Sequence, residues 1–239
     1  MSNYGTLYLI PTAIGGDAGS ALAPGTRERL FALVEFIAEN PKTTRQFLKA
    51  VGYPRALQAV RIRTLDEHTA EATLPELLAP LLAGEDCGLM SEAGCPALAD
   101  PGALLVRLAH QRGVRVVPLV GPSAVLLALI ASGLNGQCFA FHGYLPVEPE
   151  ARRKKLSELE RESQRSDCTQ IFIEAPYRNE ALLRAILDTC AGATLLCVAT
   201  DISGGSESIR TCAVADWRSD PPDLQRRPTV FLIYRPQNR

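Results

Sequence analysis

The stretch that decides the fold runs from Gly88 to Ala124: GLMSEAGCPALADPG (88–102), ALLVRLAHQRG (103–113) and VRVVPLVGPSA (114–124). Two apolar runs of strand length, Cys87–Ser91 and Val114–Pro118, each break into a turn rich in Gly, Pro and Ser. Between them Ala103–Gln111 has a helical pattern stopped by Gly113. Strand, helix, strand in that order makes a parallel pair, so both turns leave the same sheet edge. That edge is where a parallel α/β sheet holds its ligand.

Upstream the same alternation continues. Thr6–Pro11 (TLYLIP) reads as a buried strand that opens into TAIGGDAG. Gly15-Gly16 is not a G-x-G-x-x-G fingerprint, and a plain tight turn explains it equally well. A short helix is expected from Thr26 to about Leu33, a strand over Val34–Ala38 that ends at Glu39, and a loop and helix in NPKTTRQFLKAVG (40–52). Ala59–Arg63 alternates apolar and basic residues as a half-exposed strand does. Thr73–Leu82 is expected to be one helix, with Pro75 and Glu76 suited to its first turn and Gly84 as its stop. Five strands alternating with helices predict a mostly parallel, doubly wound N-terminal sheet over residues 1–118.

Downstream of Gly121 the pattern changes. Ser123–Ala131 is an almost wholly apolar helix, expected to be buried on most sides. Gln137–His142, Thr169–Glu174, Leu195–Thr200, Ser208–Val214 and Thr229–Tyr234 read as strands, with a charged helix at Glu150–Arg165 and Asn179 as a helix N-cap. The segment 219–228, with three prolines, connects the last two strands. Fewer helices separate these strands, which predicts a mixed α+β sheet in a second domain over residues 119–239.

The chain has 239 residues, 46% hydrophobic and 21% charged, enough for two cores. No apolar run reaches membrane-span length, and MSNYGTLYLIPT lacks the basic start of a signal peptide, so a cytoplasmic protein is expected. Seven scattered cysteines without a C-x-x-C pair, and only three histidines, argue against a disulfide framework or a metal site. Cys95 alone among the cysteines sits in a Gly/Pro loop. A net charge of −1 gives no global attraction to a polyanion. The one basic cluster, Arg152-Arg153-Lys154-Lys155 with Arg161 and Arg165, is interleaved with Glu158, Glu160 and Glu162, as a solvated helix face would be.

Four carboxylates lie where a general base would be placed: Glu39 and Glu92 at the ends of expected strands, Asp100 in the following loop, and Glu174 at the end of a second-domain strand. A hydrogen-bonded loop carboxylate or helix cap accounts for each as readily. His142, before Gly143, has the same two readings, base or strand-end structural residue.

Taken together, LIPTAIGG (9–16), Ala38-Glu39 through Thr44-Arg45 to Leu48, MSEAGCPALADPG (90–102), PLVGPSA (118–124), FHGYLP (141–146) with its basic run, and IEAPYR (173–178) resemble the tetrapyrrole methylase superfamily. Within it they are most like the ribosomal RNA small subunit methyltransferase I branch. The resemblance spans Thr6 to Tyr234. It implies a two-domain α/β fold, an S-adenosylmethionine cofactor in a cleft between the domains, and a homodimer. Ser91, Glu92, Ala93, Gly94 and Pro96 match the family's cofactor loop, Ser123 and Ala124 its second cofactor turn, Leu145 and Pro146 the loop entering the second domain, and Pro228 and Thr229 its late contact. Glu39 and Glu92 are the catalytic candidates. The expected reaction is 2′-O-methylation of ribosomal RNA, with the small ribosomal subunit as partner. The alternatives are methylation of a small, tetrapyrrole-like molecule and a cofactor-binding relative without catalysis.

The sequence departs from the family pattern in several cleft loops. Glu92 stands for the usual aspartate and Cys95 for a threonine. Ala13-Ile14-Gly15-Gly16-Asp17 replaces P-I-G-N-L-G-D, Asn40-Pro41-Lys42 follows Glu39 where A-E-D-T-R is usual, and Ala199-Thr200-Asp201-Ile202-Ser203 replaces R-E-L-T-K.

Overall fold

The structure is a computed structural model that describes residues 3–19 and 22–237. The chain forms two compact units, Met1–Ser123 and Ala124–Arg239.

The first unit runs β1 (Thr6–Ile10), α1 (Pro24–Ala32), β2 (Glu35–Ala38), α2 (Pro41–Ala50), β3 (Arg61–Thr64), α3 (Leu74–Leu77), α4 (Ala79–Leu82), β4 (Cys87–Met90), α5 (Gly102–Gln111) and β5 (Arg115–Pro118). Its five strands are all parallel, in the order β3-β2-β4-β1-β5. Successive side chains of a strand point to opposite faces. Leu7, Ile37 and Leu89 accordingly pack with Leu78, Leu81 and Leu105 on one face, and Tyr8, Ile10, Phe36 and Met90 with Leu30 and Leu48 on the other. Helices cover both faces, which is the doubly wound arrangement. Burying each such Leu or Phe contributes about 1.5–3 kcal/mol. Glu35, buried at the start of β2, is ion-paired with Arg61 and Arg63 of the neighbouring β3.

The single helix expected over Thr73–Leu82 is two short ones, α3 and α4, preceded by a 3₁₀ turn at Glu71–Thr73. Pro80 explains the break: it has no N–H to donate to the carbonyl of Glu76, and its ring crowds that carbonyl.

The second unit runs α6 (Ala124–Ser132), β6 (Phe139–Tyr144), α7 (Pro149–Ser166), β7 (Thr169–Ile173), α8 (Asn179–Thr189), β8 (Leu195–Thr200), β9 (Ser208–Ala213), α9 (Val214–Ser219) and β10 (Thr229–Tyr234). The sheet order is β6-β7-β10-β8-β9; β6 and β7 are parallel and the other pairs antiparallel, so this sheet is mixed. Leu156 and Leu159 of α7, Leu182 and Ile186 of α8 and Trp217 of α9 form its core with Phe172, Val198 and Phe231.

Three expectations are corrected here. First, α6 packs on β8, β9 and β10 through one face only. Val125, Ala128 and Leu129 are buried, but Leu126 and Ile130 are 49% and 78% exposed, because the sheet covers a helix from one side. Second, Asn179 is the first residue of α8 rather than its cap; its side chain is turned away to donate to the Arg227 carbonyl at 2.6 Å. Third, 219–228 is not the whole connection to the last strand, since α9 precedes it and buries Val214 and Trp217.

Candidate functional site

In the first unit every strand points the same way, so the segments that follow β1, β2, β4 and β5 all leave one sheet edge. β1 and β4 are neighbours, and the helices that follow them pack on opposite faces: Leu30 of α1 on one, Leu105 and Ala109 of α5 on the other. Such a reversal opens a crevice at the carboxyl ends of the strands.

The loop after β4 is pinned into that edge by its own backbone. Thr12, just beyond β1, donates its N–H to the Gly94 carbonyl at 2.9 Å, an isolated antiparallel bridge, and its hydroxyl to the Ser91 carbonyl at 3.3 Å. The Ser91 hydroxyl lies 3.4 Å from the carbonyls of Ala93 and Gly94. Cys95 donates its thiol to the Pro122 carbonyl at 3.3 Å, and burial pushes that thiol's pKa up, so it ties two loops together as a neutral group. Gly121 lies so close to the exit of β1 that a Cβ there would sit 2.1 Å from Cγ of Pro11. Gly94 and Pro96 are buried, whereas Glu92 and Ala93 are exposed.

Further along, Ala97 and Ala99 adopt φ values of 66° and 65°, a region that costs an alanine roughly 1–2 kcal/mol. Asp100 offsets that cost: its carboxylate accepts the N–H of Ala97 at 2.8 and 2.9 Å and that of Gly102 at 2.8 Å. Asp100 is therefore the brace of the loop. Thr12 and the two strained alanines are site residues that sequence reasoning missed. Strain has no sequence signature in an alanine, while a Thr directly after a strand at this edge was a readable hint.

Glu39 follows β2 on the same edge. With Pro96, Asp100, Gly102, Leu65, Leu89 and Met90 it lines a narrow crevice too tight to admit a water molecule. Burial, and then the negative charges of Asp100 and Glu92, push its pKa up to about 7. The departure at 40–42 does not disturb this position. Asn40 caps α2 through a 2.9 Å bond from the Lys42 N–H, and Pro41 occupies the first helical position, which needs no N–H donor.

The other candidates fall as follows. Ser123 is buried and leads into α6, whose first residue is Ala124. In the second unit Leu145 is in the hydrophobic core and Pro146 is exposed, its carbonyl accepting Arg152 Nε at 3.0 Å. Pro228 is exposed, and the buried Thr229 opens β10 with its hydroxyl bonded to the Arg227 carbonyl at 2.9 Å. Glu174 is held through Oε1 by Arg178 at 2.7 Å and by the Ala175 N–H at 2.8 Å, while its buried Oε2 has no hydrogen-bond partner among the described residues. His142 Nε2 lies 2.7 Å from Oε1 of Gln170, one strand across.

The first unit's loop fits S-adenosylmethionine by its own chemistry. The exposed Ala93 adds little side chain to the loop, the open Glu92 carboxylate can accept from a ribose diol, and the carboxylates of Glu39, Glu92 and Asp100 at this edge suit a sulfonium. The whole chain matches the crystal structure of the methyltransferase CobJ with a TM-score of 0.65 at 17% identity, over 96% of this chain and 94% of that one. No family model matches. The chain has the tetrapyrrole-methylase fold and, by the relatives that follow, is an S-adenosylmethionine-dependent methyltransferase. Two relatives named ribosomal RNA small subunit methyltransferase I are similar over nearly the full length. The one from Xylella fastidiosa (strain Temecula1 / ATCC 700964) is 36% identical over 236 residues, 98% of this chain and 82% of its own. The one from Vibrio cholerae serotype O1 is 33% identical over 95% of this chain and 76% of its own. The chain belongs to the ribosomal RNA small subunit methyltransferase I family.

Proposed function

We propose that the chain methylates a ribose 2′-hydroxyl of ribosomal RNA, with Glu39 as general base. The observation that carries this reading is the Glu39 carboxyl at the end of β2, on the same sheet edge as the loop after β4, where burial and the charges of Asp100 and Glu92 raise its pKa to about 7. Bound S-adenosylmethionine supplies a methyl group already activated by its sulfonium. What remains for the chain is to hold cofactor and hydroxyl in line, exclude water and accept one proton. Ser91–Pro96 and Ser123 would hold the cofactor. Glu92 would receive the ribose of the cofactor. The relatives' names support ribosomal RNA as the acceptor. Mass mapping of ribosomal RNA from cells with and without the gene tests this. One ribose methyl should disappear on deletion and return on complementation; an unchanged RNA together with a methylated small compound would support the small-molecule reading instead.

The same reading places the protein in a reducing cytoplasm, where its seven free cysteines would stay thiols. It also makes the protein a homodimer, for which the exposed Ile130 on α6 is a suitable apolar contact. Ile130→Asp should then shift the sedimentation equilibrium mass of the purified protein from two chains toward one. A wild-type mass of one chain at micromolar concentration would refute the dimer.

A further inference from the structure

Between Glu39 and Asp66 the chain carries six cations, Lys42, Arg45, Lys49, Arg55, Arg61 and Arg63, and not one acid, in a protein whose net charge is −1. Arg61 and Arg63 are consumed by the buried Glu35 and by Glu85. The other four have no carboxylate partner among the described residues, and Lys42, Lys49 and Arg55 are exposed. Lys42, Arg45 and Lys49 stand at steps of three and four along α2, which puts them on one helical face in a row about 10 Å long. Lys42 lies in the first turn, at the positive end of the helix dipole, where a cation is disfavoured unless something else uses it.

The run Arg152–Lys155, the conspicuous basic cluster of the sequence, is differently disposed. Arg152 is buried and donates to the carbonyls of Pro146 and Val147; Arg153, Lys155 and Arg165 are paired with Glu150, Glu158 and Glu162 on the same helix. Lys154 and Arg161 on α7, and Arg107, Arg112 and Arg115 in and after α5, also lack a carboxylate partner among the described residues, but the unneutralised run of α2 and the segment after it is the one nearest Glu39 in the chain, beginning three residues from it.

We infer that the Lys42–Arg45–Lys49 face of α2, extended by Arg55, is the surface that takes the phosphate backbone of the RNA substrate and delivers a ribose to Glu39. This rests on the proposed RNA reading and adds the residues that would recognise the RNA. Charged side chains without acidic partners release counterions on binding phosphates, so the interaction must weaken with salt.

The test uses the full-length protein and a ribosomal RNA fragment whose binding is measured across a salt series. Removing three phosphate contacts with Lys42→Gln, Arg45→Gln and Lys49→Gln together should reduce the slope of log affinity against log salt by about 2, at roughly 0.7 per contact on a single strand. Affinity at low salt should fall by at least about tenfold, with S-adenosylmethionine binding unchanged. The single variant Lys49→Gln should reduce the slope by about 0.7, which covers the case of a poorly folded triple variant. Lys154→Gln with Arg165→Gln on α7 should leave the slope as it is. A triple variant with wild-type slope and affinity, or an α7 variant with the larger loss, overturns the assignment of α2 while the RNA reading stands. A wild-type protein without salt-dependent RNA binding overturns both.

Discussion

Gly94→Val should lower the affinity for S-adenosylmethionine by at least about a hundredfold, close to 3 kcal/mol, while the chain stays folded. Gly94 has φ +77°, a region that a β-branched residue hardly visits. Its Cβ would lie 3.2 Å from Cγ2 of Ile14 and 3.6 Å from the Pro122 carbonyl, so the new side chain pushes against both neighbouring loops. The Thr12 bridge to the Gly94 carbonyl and the Cys95 bond to Pro122 would have to yield together. The damage is confined to the sheet edge, because none of these groups belongs to the two hydrophobic layers of the unit. Calorimetric titration of the cofactor, with a thermal melt as control, measures both halves. Unchanged affinity would remove the 91–96 loop from the cofactor site.

Glu39→Gln should reduce kcat by about 10²- to 10⁴-fold, the usual contribution of a general base, with the cofactor affinity close to wild type. Glutamine keeps the shape of the side chain and relieves the repulsion from Asp100 and Glu92, so the fold should gain rather than lose. The pH profile separates a base from a structural acid. Only the ionised form of Glu39 accepts a proton, so the wild-type rate should climb with pH and level off above about 7, whereas the variant should lack that limb. The stability linkage has the opposite sign. Because the folded-state pKa is raised from 4.5 to about 7, the folded chain binds the extra proton more tightly, and the stability it confers is full below 4.5 and lost as pH rises through 7. A profile that is the same in both proteins would point to another base.

The two sheets were legible in the sequence because apolar runs of strand length are bounded by Gly and Pro, as in Thr6–Pro11, which reads as a buried strand. What misled was local chemistry overruled by context. Pro80 split a helix whose apolar pattern runs on unbroken, and Asn179 was drawn away from the helix end by the Arg227 carbonyl. The apolar α6 showed how much of it was buried only when the sheet beneath it was known. At the site, the loop after β4 could be located from its small residues, but the brace by Asp100 and the strain at Ala97 and Ala99 depend on backbone angles that alanine does not announce. The elevated pKa of Glu39 likewise follows from burial and two carboxylates distant in sequence.

The most direct measurement is transfer of a labelled methyl group from S-adenosylmethionine to small ribosomal subunits by the purified protein, followed by alkaline hydrolysis of the RNA. The account predicts label in a single alkali-resistant dinucleotide, the mark of a 2′-O-methyl ribose, lost with Glu39→Gln. Label on a base, or none in RNA from any subunit preparation, would contradict it.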